Sequence, residues 1–150
     1  MRLALDWGAA RIGIAACDAA GLLAYPVETV PNDAQTLTRI AALVEQYQPV
    51  ELVMGLPLDL RGQEAVAARN IRERAQEVAD GVQLPIRLLD ERLTTAQAAK
   101  QLRASGRNAR KAKGVIDQAA AVALLWSLLE SNTDQTRAVI HPQPGAAPNV

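Results

Sequence analysis

The sequence predicts an α/β protein: a mixed five-stranded sheet, three antiparallel strands followed by parallel ones, with helices on both faces. Three observations predict it. The chain opens on two apolar runs, residues 3–8 and 12–18, close enough to pair as a hairpin. Further on, apolar runs alternate with stretches of helical spacing, in the manner of βαβ crossovers. Near the end, residues 119–125 are wholly apolar and call for a helix lying against the sheet.

The elements follow in order. Residues 21–30 read as a third strand, and Pro26 suits a sheet edge, where a missing N–H does no harm. Asn32 or Asp33 caps a helix running to about residue 48, with Leu37, Ile40, Ala41 and Val44 on one stripe and Pro49 as the stop. Residues 51–58 form a buried strand, 60–62 a loop, and 63–80 a second helix with Ala67, Ile71, Ala75 and Val78 inward and Gly81 as its C-cap. The fifth strand, 84–91, ends in two carboxylates, Asp90 and Glu91. Thr94-Thr95-Ala96-Gln97 fits a capping box and opens a helix that Gly106 ends. Residues 107–114 read as a mobile basic loop, and 116–131 as the last helix. The single domain is expected over 1–131. From 132 onward, with Pro142, Pro144, Gly145 and Pro148, a flexible tail is expected.

Composition narrows the function classes. Apolar residues make up 49% of the chain, an ordinary value for a packed domain. No apolar run approaches the ~18–20 residues of a membrane span, and the opening lacks a secretory pattern. The one cysteine, Cys17, forms no internal disulfide and reads as a small buried apolar group. The expectation is a cytoplasmic protein with no membrane partner. Net charge is zero, but it is segregated. Between Glu91 and Asp117 stand Arg92, Lys100, Arg103, Arg107, Arg110, Lys111 and Lys113 with no acid among them, while the rest of the chain carries nine basic against sixteen acidic residues. Such a stretch serves either as a solvated helix face or as a footprint for a phosphate backbone. The second use implies strongly salt-dependent binding. With no aromatic interleaved, it would read shape rather than bases.

Asp6 is the residue that most needs explaining, because a carboxylate inside an apolar hairpin must be paired, hydrated or metal-bound. Asp90 and Glu91 close the fifth strand, at the end where ligands gather in α/β sheets. Asp117 shares a helical stripe with Ala120, Ala121, Leu124 and Leu128, and so points toward the sheet. Simpler roles exist: Asp117 can favour a helix dipole, and Asp90 or Glu91 can pair with Arg92 or Arg61. Converging carboxylates, however, make a hard-oxygen site for Mg²⁺ or Mn²⁺. Two such ions ~4 Å apart activate a water and stabilise the leaving oxygen of a phosphodiester. Trp7 and Trp126 read as packing residues, with Trp7 also able to wall the site, and His141 lies in the tail.

Four motifs in register resemble one family. They are Leu5-Asp6-Trp7-Gly8 with Arg11-Ile12-Gly13; Gly55-Leu56-Pro57-Leu58 followed by Gly62; Asp90-Glu91-Arg92-Leu93-Thr94-Thr95; and Ile116-Asp117 with Ala119-Ala120. Together they look like YqgF, also called RuvX, over roughly residues 1–130. Trp7 departs from the smaller or aliphatic residue usual there, which changes the wall and not the ligand. The resemblance implies an RNase H-like fold related to the RuvC resolvases. It implies a metal-dependent endonuclease acting on branched DNA (Holliday junctions) or on the 5′ end of pre-16S rRNA. Carried over by position, Asp6, Glu91 and Asp117 are the catalytic and metal-binding triad, with Asp90 or Asp59 as substitutes. Arg11, Arg92 and Thr94 contact phosphate; Arg61, Arg107, Arg110, Lys111 and Lys113 extend the nucleic-acid surface. A resolvase favours a twofold dimer whereas an RNA-processing enzyme can act as a monomer, so a monomer or weak homodimer is expected. Two other readings fit the residues: an inactive nucleic-acid-binding adaptor of the same fold, and an actin- or Hsp70-like phosphate-binding ATPase, which would need a second such domain.

Overall fold

The computed structural model describes residues 1–18, 20, 23–91, 109–130 and 136–144, and only the backbone of 109–117 and 130. Strands β1 (Arg2–Trp7), β2 (Arg11–Cys17) and β3 (Ala24–Pro31) form an antiparallel meander. Helix α1 (Thr36–Tyr47) leads into β4 (Glu51–Leu56), and α2 (Val66–Val82) into β5 (Ile86–Asp90). Helix α3 (Ala109–Glu130) and strand β6 (Thr136–Ile140) complete the described elements. The sheet order is β3-β2-β1-β4-β5-β6, with β1, β4 and β5 parallel and β6 antiparallel to β5.

Side-chain alternation splits the core in two. Leu3, Leu5, Ile12, Ile14, Leu52, Met54, Leu56, Ile86 and Leu88 face α1 and α2, which contribute Ile40, Leu43, Ile71, Ala75 and Val78. Ala4, Ala15, Cys17, Val53 and Leu89 face α3, which contributes Ala120, Ala121, Leu124 and Leu125. The small side chains on this second face let α3 lie close to the sheet. Helices thus cover both faces, as the sequence predicts. β3 is an edge, and Pro26 sits beside a bulge where the register with β2 shifts between Ile14 and Ala15.

Several boundaries differ from the sequence reading. The described residues form six strands rather than five: Thr136–Ile140, expected in the flexible tail, forms an edge strand whose Ala138 and Ile140 pack on the core. Its β-branched Thr136, Val139 and Ile140 favour extended backbone, a signal hidden by the prolines that follow. Helix α1 begins at Thr36, not at Asn32 or Asp33. The Asp33 carboxylate instead accepts the Gln35 N–H (2.8 Å) in a local turn ahead of it. In α2, Ala68 is buried where Ala67 was expected. Gly81 is not a cap but a buried helical residue: a Cβ there would lie 2.7 Å from a Leu37 methyl, so it allows α1 and α2 to touch. Gln83 ends that helix with φ of 55°, its N–H bonded to the Ala79 carbonyl (2.8 Å). Finally, residues 109–114, read as part of a loop, are the first turns of α3. Ala109, Arg110, Lys111, Ala112 and Lys113 are strong helix formers, and Gly114 alone does not interrupt them. The helix expected from Thr94 to Gly106 lies outside the described residues.

Candidate active site

One row of residues crosses the sheet on the α3 face. Thr29 pairs with Gly13, and Gly13 with Asp6. Leu5 pairs with Met54, which puts Gly55 level with Asp6, and Gly55 pairs in turn with Leu89. Asp6 is therefore flanked on both sides by glycine. It is 1% exposed, at the C-terminal end of the central strand. Two positions beyond Leu89, Glu91 is also buried and reaches back over Gly55: a Cβ built on that glycine would stand 2.9 Å from Glu91 Oε1 and 3.3 Å from Leu124 Cδ2. The strand spacing between Asp6 and Gly55 is ~4.8 Å. Two buried carboxylates, 85 positions apart in sequence, thus occupy adjacent columns beneath α3.

The third candidate belongs to that roof. Gln118 Nε2 donates to Thr29 Oγ1 (3.1 Å), which fixes α3 over the same row. Asp117 precedes it in the helix, while its side chain lies outside the described residues. Because α3 begins at Ala109, Asp117 sits in the third helical turn. The helix dipole, which acts only within the first turn, gives it no rationale there. Among the described residues, no group of three His, Cys, Asp or Glu side chains converges.

The substitutes fare differently. Asp90 pairs with Leu56, whose side chain belongs to the α1/α2 face, so alternation turns Asp90 away from Asp6. Asp59 is exposed, and its Oδ1 accepts the N–H groups of Arg61 (2.8 Å) and Gln63 (2.9 Å), shaping the loop after β4. Arg11 lies on the Asp6 face by alternation, at the same rim, and Arg61 is exposed on the neighbouring loop. Arg110, Lys111 and Lys113 fall in the opening turns of α3, with side chains outside the described residues. Arg92, Thr94 and Arg107 lie wholly outside them. Trp7 is not a wall of this site, because it packs on the α1/α2 face. The sequence reading missed the flanking glycines, Gly13 and Gly55. Each was visible in a motif, but their place beside Asp6 depends on strand register.

The donor chemistry fits a divalent metal. Both side chains offer hard oxygen atoms, and the space over Gly55 exists because the residue has no Cβ. At the opposite end of the same face, Glu51 Oε1 accepts from Arg2 Nε (2.7 Å) and Arg87 Nε (2.9 Å), a structural tie across β1, β4 and β5.

A family model described as "RuvX: Holliday junction resolvase" matches residues 1–131. A Cutibacterium acnes protein named "Putative pre-16S rRNA nuclease" is 50% identical over 131 residues, covering 87% of this chain and 82% of the relative. A Streptomyces coelicolor protein of the same name is 51% identical over 133 residues, covering 87% and 80%. Among solved structures, T. thermophilus RuvC in complex with Holliday junction substrate aligns with a TM-score of 0.54 at 16% identity, over 90% of this chain and 97% of that one. At that identity the likeness is one of fold, and the fold is the RNase H-like α/β class.

Proposed function

This chain belongs to the RuvX family, and from that premise we propose that it is a metal-dependent nuclease that hydrolyses phosphodiester bonds in structured nucleic acid. The observation carrying this reading is a pair of buried carboxylates on one face at the C-terminal rim of the sheet, Asp6 on the strand beside Gly55 and Glu91 reaching over that glycine. Asp117 on α3 is the proposed third acid. Asp6, Glu91 and Asp117 would hold Mg²⁺ or Mn²⁺, which would supply an activated water and charge stabilisation for the leaving oxygen. The protein's own part is to position. Asp6 is held by strands on both sides, so its carboxylate enters the site without a conformational cost. Glu91 is buried against Leu124, which keeps bulk water from its flank. Arg11 and Arg61 at the rim, and the basic stretch from Arg92 to Lys113, hold the phosphate backbone.

Precursor 16S rRNA is the favoured substrate, because relatives of about 50% identity carry that name. A four-way DNA junction is the second reading, favoured by the family's description. The test is single-turnover cleavage with Mn²⁺ on a pre-16S rRNA 5′ fragment and on a four-way junction, comparing wild type with Asp6→Asn. Metal-held charge stabilisation amounts to several kcal/mol, so the variant is expected to cut at least ~100-fold more slowly. Equal cutting by both proteins would refute the site. Binding without cutting by wild type would favour the inactive adaptor.

A further inference from the structure

On the face away from the carboxylates, a cavity of about 200 Å³ opens between the first hairpin, the start of α1 and the side of α2. Trp7, Asn32, Asp33, Thr36, Arg74 and Glu77 line it. We propose that this cavity receives one unpaired base of the bound nucleic acid, with guanine the best fit. The proposal rests on the nucleic-acid reading above for its substrate, but not on catalysis.

Size restricts the occupant first. Drug-sized ligands occupy roughly 300–1,000 Å³, so this volume suits a single planar ring system. Charge restricts it further. Two carboxylates against one guanidinium repel a phosphate, and favour a neutral group bearing both donors and acceptors. Arg74 supplies the donor: its Nη2 bonds Glu77 Oε1 (2.9 Å), while its Nε is buried and donates to no acceptor among the described residues. An arginine carries five N–H donors, and this side chain, 40% exposed at the cavity, has others to offer an entering acceptor. The carboxylates of Asp33 and Glu77 accept. Guanidinium donating to O6 and N7 is the commonest specific contact to guanine, and the carboxylates suit that base's own N–H groups. Trp7 provides the aromatic surface on which unpaired bases stack.

Position joins the cavity to the site. Trp7 directly follows Asp6, and alternation sends the two side chains to opposite faces at one rim. Between them lies the tight turn of residues 8–10. Asn32 fixes it, with its side-chain Nδ2 donating to the Gly8 carbonyl (2.8 Å) and its backbone N–H to that of Ala10 (3.0 Å). A strand leaving the carboxylates over that turn runs toward the cavity, since Trp7 at its edge directly follows Asp6.

Trp7 is its own reporter. The chain has two tryptophans, and a Trp126→Phe background leaves Trp7 alone to fluoresce. Single-stranded RNA hexamers, all-uridine or carrying one guanosine or one adenosine, are titrated without divalent metal. Saturable quenching is expected, with the guanosine hexamer binding at least ~10-fold tighter than all-uridine, in keeping with one well-made base contact. Arg74→Met is expected to erase that preference. Asp33→Asn, which keeps an oxygen for the Gln35 N–H, is expected to reduce it. No quenching, as for a pocket that serves a protein partner, overturns the proposal, and so does equal quenching by all three hexamers or a preference indifferent to Arg74→Met. Parallel cleavage assays separate the two readings: quenching without cutting removes the nuclease and keeps the pocket, and cutting without quenching does the reverse.

Discussion

Gly55 does as much for the site as the acids beside it. Its missing Cβ leaves room for the Glu91 carboxylate, whose Oε1 would lie 2.9 Å from a Cβ there, and for Leu124 above. Gly55→Ala is expected to displace Glu91 and slow cleavage ~100-fold, the usual effect of a misplacement near 1 Å. Overpacking should cost ~1–3 kcal/mol; single-turnover rates and thermal melts measure the two effects. Glu51 shows the opposite use of a buried acid. Burial pushes its carboxyl up, but hydrogen bonds from Arg87 and Arg2, with their charges, outweigh this and hold it below the usual carboxylate range. A lowered folded pKa stabilises above the unfolded value, and the gain is lost as pH falls through the folded one. Both arginines are about a third exposed, which screens the pairs. Glu51→Gln is therefore expected to cost ~1–3 kcal/mol at pH 7. In urea titrations the gap to wild type should shrink below the usual carboxylate range.

Helices meet through Gly81, where a side chain would run into two Leu37 methyls at 2.7 and 2.8 Å. Alanine recovers ~1 kcal/mol of helix propensity, and the tip of Leu37 can rotate aside. Gly81→Ala should therefore leave stability within ~1 kcal/mol of wild type, while the bulkier Gly81→Val should lose ~1–3 kcal/mol. Denaturation midpoints of the pair decide it. At this scale the sequence was legible in kind and unreliable at ends. The apolar run 119–125 announced α3, yet the helix starts at Ala109, and Gly81 resembled a cap because a glycine near a helix end usually is one. Only the neighbour, Leu37, shows why a glycine is needed inside.

The whole molecule is closed at one edge by β6. Thr136 binds Arg87 Nη1 (2.9 Å), and Ala138 and Ile140 join the core. Ending the chain at residue 131 is expected to lower stability by ~2–4 kcal/mol, from lost apolar burial and an opened sheet edge; a urea unfolding curve of the truncated protein checks this. The sequence by itself determined the α/β class, the order of elements from β1 to β5, the buried character of β4, and the chemistry of the candidate acids, because local periodicity and residue type are written along the chain. Tertiary structure alone decided which carboxylates share a face. Asp6 and Glu91 occupy adjacent columns on one face while Asp90, one residue from Glu91, faces the other side, and Asp59 is spent on its own loop. Side-chain alternation has a period of two, so a single step in strand register reverses which acid faces the site, and register is fixed only when strands distant in sequence pair.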